Sequence, residues 1–190
     1  DNRARIFTPI LMTWKHLLAD CKINGKELFS DAAAKTKHLN EVVDEVYFPG
    51  AHADVGGGYS DSLLSGVSLN WMLRNLASTG LLPGPVQVRQ DVFGLSHDPE
   101  HGFFWGLLYH RQSRHLAKHL SNGDVLYNGG RLKVHASAFD RLEQCTDINC
   151  LHKDHEFPWS SWAGECFRKN GDRYVVDRGR VAECKIDIVF

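Results

Sequence analysis

At 190 residues the chain is long enough for one domain with a buried core. Apolar residues make up 43% and charged residues 24%, and 22 Lys and Arg against 23 Asp and Glu leave a formal net charge of -1, which excludes a disordered polyelectrolyte and gives no overall basic balance that would call for nucleic acid. No apolar run approaches the ~20 residues that cross a bilayer, and the opening DNRARIFTPI is charged and lacks the apolar centre of a signal peptide.

In chain order, FTPILMTWKHLLADC places Ile10, Leu11, Trp14, Leu17 and Leu18 at helical spacing behind Pro9, and predicts a short helix or an irregular apolar segment. NGKELFSDAAAKTKHLN starts on the turn signal Asn24-Gly25 and continues into a polar, alanine-rich stretch with little apolar face, a surface insertion open to helix formation. EVVDEVYF gathers Val42, Val43, Val46, Tyr47 and Phe48 into the composition of a buried strand, stopped by Pro49 and Gly50. SLLSGVSLNWMLRNLAS then carries Leu63, Val67, Trp71, Leu73 and Leu76 on a long helical pattern that ends at Gly80, with Pro83 beyond.

The middle of the chain mixes a strand, a Gly/Pro/His loop and a basic helix around Leu107 to Leu120. VLYNGGRLKV reads as a hairpin turning at Asn128-Gly129-Gly130, and Ser137 to Asp140 as the capping box of the next helix. RYVVD and KIDIVF close the chain as strands, and there is neither internal repeat nor low-complexity tract.

The stretch FPGAHADVGGGY, Phe48 to Tyr59, concentrates the chemistry. A strand that runs into a histidine-bearing loop and then a helix is how open α/β sheets present reactive groups beyond their carboxyl ends. His52 is placed as an active-site base, since an imidazole near neutral pKa takes and returns a proton. Gly56, Gly57 and Gly58 keep the neighbouring wall low, and Asp54 is set to hold a backbone amide of the glycine run or to orient a nearby loop. The same text also fits a turn in which His52 merely packs, the glycines reverse the chain and Asp54 caps the following helix.

EVYFPGAHADVGGGYSDSLLSGVSLNWML resembles the signature of the DUF2235 family, α/β-hydrolase-like proteins that include the Tle1-like type VI secretion phospholipase effectors. Two flanking segments agree: DNRARIFTPIL resembles the family's Asp-Glu-X-Arg-X-X-Phe-X-Pro, and VHASAFDRL, Val134 to Leu142, resembles its Val-His-X-Ser-Val-X-X-Arg-Leu. Ala136 departs from the proline frequent there, and the tail after Gln144 matches no family segment. The resemblance implies an α/β fold, with residues 1–144 as the C-terminal part of an α/β-hydrolase-like domain and residues 145–190 as a mixed, cysteine-rich tail packed on it or meeting a membrane or partner.

It also implies a serine, acid, histidine order along the chain, with His52 as the histidine. Neither Gly-X-Ser-X-Gly nor the family's Trp-Asp-Thr-Val occurs in these residues, so the expectation is a fragment whose nucleophile and acid lie upstream and which hydrolyses nothing alone. The implied chemistry, phospholipid acyl ester hydrolysis, uses no cofactor. The implied partners are the N-terminal portion of the same enzyme, a phospholipid membrane surface, and a secretion spike or immunity protein. The implied route is synthesis in a bacterial cytoplasm, secretion, and action in a target-cell periplasm.

Three further groups stand out. Cys145, Cys150, His152 and His155 are four zinc-type ligands within eleven residues, although structural zinc sites space them differently; disulfides are the stronger rival in an oxidising compartment, with Cys145, Cys150, Cys166 and Cys184 clustered and Cys21 apart. LLYHRQSRHLAKHL places Arg111, Arg114, His115, Lys118 and His119 on a basic helix, either a solvated face or a contact for anionic headgroups. Phe103, Phe104, Trp105, Trp159 and Trp162 serve either lipid contact or core packing. The rival to an esterase is a binding module that retains a hydrolase scaffold without its catalysis.

Overall fold

The computed structural model describes residues 22–23, 26–27, 31–97, 128–145, 166–171 and 173–190. A parallel three-stranded sheet, in the order β3-β4-β7, organises them: β3 is Val46–Tyr47, β4 Leu132–His135 and β7 Ile186–Val189. Two antiparallel pairs accompany it, β1 (Lys22–Ile23) with β2 (Lys26–Glu27) and β5 (Phe167–Asn170) with β6 (Arg173–Val176). Four helices, α1 (Ala32–Val42), α2 (His52–Gly56), α3 (Ser65–Ser78) and α4 (Ala136–Gln144), complete an α/β arrangement among the described residues. Parallel neighbours need long crossovers. Accordingly α2 and α3 fall between β3 and β4 in the chain, and α4 with the β5–β6 pair falls between β4 and β7.

Two elements differ from the sequence reading. The strand expected over EVVDEVYF is reduced to Val46–Tyr47, because α1, started by Asp31 accepting the Ala34 amide at 2.7 Å, runs on through Val42. Val42 is 61% exposed, so β-branched composition here marks a helix end rather than a core strand. The hairpin expected at VLYNGGRLKV does not form through β4: a 3-10 turn at Asn128–Gly130 leads into a strand whose two edges are already taken by β3 and β7.

β4 is the centre of the core. Leu132, Val134, Phe139, Leu142, Phe167, Val176, Val181 and Ile186 form one buried cluster with Cys166 and Cys184, and Tyr47 and Ile188 pack on it. Thus α4 lays Phe139 and Leu142 on the sheet, and the C-terminal residues close over them, Phe139 stacking on Phe167 at 6.3 Å. Polar ties mark the sheet rims. Asp187 accepts from Arg131 Nε and Asn128 Nδ2, both at 2.9 Å, and the Arg131 hydrogen bond holds its carboxyl below the ordinary carboxylate range. Lys133 reaches Asp44 at 2.7 Å across β3 and β4.

A Cys166–Cys184 disulfide closes a loop of sequence separation 18 and ties the start of β5 to the turn before β7. Replacing both cysteines by alanine should cost about 3 kcal/mol of unfolding free energy, the value for closing a loop of this size; denaturant melts of the oxidised parent and the double variant check it.

A second packing constraint lies at Gly66, in the first turn of α3. A Cβ there would run into the Arg89 carbonyl oxygen and come within 3.1 Å of Gln90 Cα, so the segment 88–97 crosses α3 only because this residue has no side chain. Gly66→Ala should therefore lose about 1–3 kcal/mol, the range for overpacking. Gly84→Ala, with nothing within 4 Å, should stay within about 0.5 kcal/mol of the parent by the same melt.

Candidate active site

Phe48 to Tyr59 leaves the carboxyl end of β3, and its helix α2 begins at His52. The His52 side chain is exposed to solvent, whereas Asp54, two residues on, is 2% exposed. About half a turn of helix separates these two fates. Gly57 (φ 83) and Gly58 (φ 129) end α2 in backbone conformations that side-chain-bearing residues seldom adopt; Gly56 lies within the helix instead.

Asp54 is the polar centre of the site. Its Oδ2 accepts the Ala51 amide at 2.8 Å and the His97 amide at 3.1 Å, and its Oδ1 lies 2.7 Å from His97 Nδ1. Because the carboxylate accepts, Nδ1 carries the proton of the imidazole. Tyr59 lies flat on the His97 ring, centroids 3.8 Å apart. Asp54 thus orients the loop that carries His97 and holds the entry to α2, while its contacts do not run to the glycine amides.

Buried polar side chains fix the segment that ends at His97. Asn70 on α3 brackets Val88, donating to its carbonyl at 2.9 Å and accepting its amide at 2.8 Å. The Asp91 amide donates to the Leu63 carbonyl at 3.0 Å. Arg141 on α4, 3% exposed, donates through Nη1 to the carbonyls of Val92 (2.6 Å) and Gly94 (2.8 Å). Burial pushes the Arg141 pKa down, and the charges of Asp54 and Asp91 oppose that shift. Ser68 Oγ, 2.5 Å from the Val55 carbonyl oxygen, fastens α3 to α2.

A second histidine, His135, lies at the carboxyl end of β4, beside the strand that leads to His52. The sequence reading expected Ser137 to begin the helix cap; instead His135 is the cap of α4, its Nδ1 accepting the Ser137 amide at 3.2 Å. That bond puts the proton on Nε2, which is buried without a hydrogen-bond partner. The ring stacks on Phe48 at 4.7 Å, and Phe48 meets Trp71 edge-on at 5.7 Å. His97 and His135 both escaped sequence reasoning as site residues. His97 meets Asp54 across 43 positions with no local motif, and only the family-like VHASAFDRL drew attention to His135.

Cys145 is disulfide-bonded, so it has no thiolate to offer zinc, and the zinc reading of the tail is corrected at that residue. Cys150, His152, His155, the basic-helix residues Arg111, Arg114, His115, Lys118 and His119, and the aromatic groups around Phe103 and Trp159 lie outside the described residues. Among the described residues no cluster of three or more His, Cys, Asp or Glu could hold a metal ion, and no helix is long and apolar enough to cross a membrane.

Burial pushes the His135 imidazole below its ordinary value, and Arg74 adds to the shift against Asp140. Below about pH 6.5 the unfolded chain takes up a proton that the folded chain accepts only at lower pH, so stability falls with pH through that window and the fall ends beneath the folded pKa. His135→Asn keeps a capping acceptor and removes the titration. The parent should lose stability relative to this variant between about pH 7 and pH 5 in denaturant melts, and the difference should be constant above pH 7.

Residues 3–75 match the family model described as T6SS, Phospholipase effector Tle1-like, catalytic domain, a span that includes β3, α2 and most of α3. No curated protein and no solved structure matches the chain. Over residues 3–75, the chain is similar to the Tle1-like phospholipase effector catalytic domain.

Proposed function

We propose that these residues are the C-terminal part of a serine esterase that hydrolyses phospholipid acyl esters, with His52 as the histidine of a Ser-Asp-His triad. The observation that carries the reading is the position of His52: exposed, one short turn beyond a parallel strand, in the segment that matches a phospholipase catalytic domain. Groups at the carboxyl ends of parallel strands face the crevice where ligands bind in such sheets.

In this mechanism a serine from the preceding portion of the enzyme attacks the ester carbonyl while His52 takes the hydroxyl proton. An acid from the same portion orients the imidazole, and backbone amides beside the serine stabilise the oxyanion. His52 then gives the proton to the departing lysophospholipid alkoxide. Water, deprotonated by His52, attacks the acyl-enzyme, and the proton returns to the serine as the fatty acid leaves.

The partners follow from that chemistry. The N-terminal portion supplies the serine and the acid, and the exposed stripe of Leu69, Met72 and Leu76 on α3 supports a covering partner. The substrate presents a phospholipid surface. Secretion as an antibacterial effector agrees with the family match, and the Cys166–Cys184 bridge supports action in an oxidising compartment such as a target-cell periplasm.

The test is fatty acid release from phospholipid vesicles by the full-length protein and its His52→Ala variant. The variant should fold and lose about 10⁴- to 10⁶-fold in kcat, as loss of a triad member does. Turnover near that of the parent from a folded variant removes His52 from the mechanism, whereas absence of turnover in the folded full-length parent leaves a binding module that retains a hydrolase scaffold.

A further inference from the structure

Asp54 is a carboxylate with almost no access to water, and its three hydrogen-bond donors come from two places. One is the amide of Ala51, the residue immediately before His52. The other two belong to His97, which donates both its amide and its Nδ1–H. Asp54 therefore couples the backbone that presents His52 to a single side chain on a distant loop.

That loop is held at several points before it reaches His97. Asn70 grips it at Val88, Arg141 grips it at Val92 and Gly94, and Gly66 lets it lie against α3. Tyr59 covers the imidazole face, fixing the ring plane in which Nδ1 points at Oδ1. A loop so fixed is an anchor rather than a passive contact.

We propose that His97 is a positioning residue for His52, acting through Asp54. This rests on the reading of His52 as the catalytic base. With Nδ1–H in place, both oxygens of Asp54 are satisfied and Oδ2 stays on the Ala51 amide. Without it, Oδ1 becomes a buried acceptor lacking a donor, a costly state that the carboxylate relieves by turning toward water. Turning releases the Ala51 amide, and the first turn of α2 moves with His52 on it. His97 itself exchanges no proton with substrate in this scheme.

The experiment measures kcat and KM on phospholipid vesicles for the full-length protein and its His97→Ala, His97→Asn and His97→Gln variants. A serine-directed fluorophosphonate counts competent sites, so that kcat refers to folded enzyme, and His52→Ala runs in the same assay. An asparagine amide can stand in for Nδ1–H, whereas a glutamine amide reaches toward the Nε2 position. His97→Ala should lower kcat per titrated site by about 100-fold, as a misplacement near 1 Å does, with KM changed by less than about threefold.

His97→Asn should recover at least about tenfold of that loss, and His97→Gln should not. If His97→Ala does not fold, the Asn and Gln variants decide: Asn well above Gln sustains the proposal. Parent-like kcat in His97→Ala, or equal kcat in Asn and Gln, overturns it. The reading of His52 fails separately, by activity surviving in His52→Ala.

Discussion

A carboxylate shut away from water keeps its charge only where donors surround it. Asp54 meets that condition by drawing on both sides of the site, the Ala51 amide at the entry to α2 and two N–H groups of His97. Much of the local architecture follows from this requirement. The chain between α3 and His97 has no regular secondary structure, yet it returns to Asp54 in a fixed register because Asn70 and Arg141 satisfy its backbone on the way. Arg141 contributes a buried positive charge that interacts with Asp54, so the site's two most buried ions offset one another.

The three histidines illustrate how environment, rather than residue type, assigns chemistry. His52 is exposed at the start of a helix, where an imidazole can meet an incoming group. His97 has its Nδ1 proton committed to a carboxylate and one ring face covered by Tyr59. His135 is a neutral, buried cap whose pKa is pushed down by its surroundings, which suits it to packing against Phe48 rather than to proton transfer. A proton shuttle needs access and a pKa near the working pH, and burial removes both.

The sheet explains why the C-terminal strand, on one edge, matters to the site that follows the strand on the opposite edge. β4 carries His135 at its carboxyl end and is held between β3, which leads to His52, and β7, the last strand of the chain. The β5–β6 pair and the disulfide brace α4, and α4 holds Arg141 against the 92–94 backbone. Removing apolar side chains from the cluster under α4 therefore acts on the loop that carries His97 as well as on global stability.

Local pattern determined a good part of this. The α3 helix from Ser65 to Ser78, the strand character of RYVV and IDIV, and the exceptional density of FPGAHADVGGGY are all legible in neighbouring residues, because helix periodicity, β-branched composition and glycine runs are local properties. The resemblance to Tle1-like effectors was carried by the same local text, and the family match covers residues 3–75. Tertiary structure decided what local pattern leaves open. Whether Val42 and Val43 join a strand depends on how far α1 extends; whether LKVH pairs as a hairpin or lies at the centre of a parallel sheet depends on which edges are free; and Asp54 found His97, 43 positions further on, because the fold brings that loop back. Contacts across such separations leave no periodic trace in the sequence: they are chosen by the need to satisfy buried charges and backbone groups at once, and that need exists only after the chain has folded.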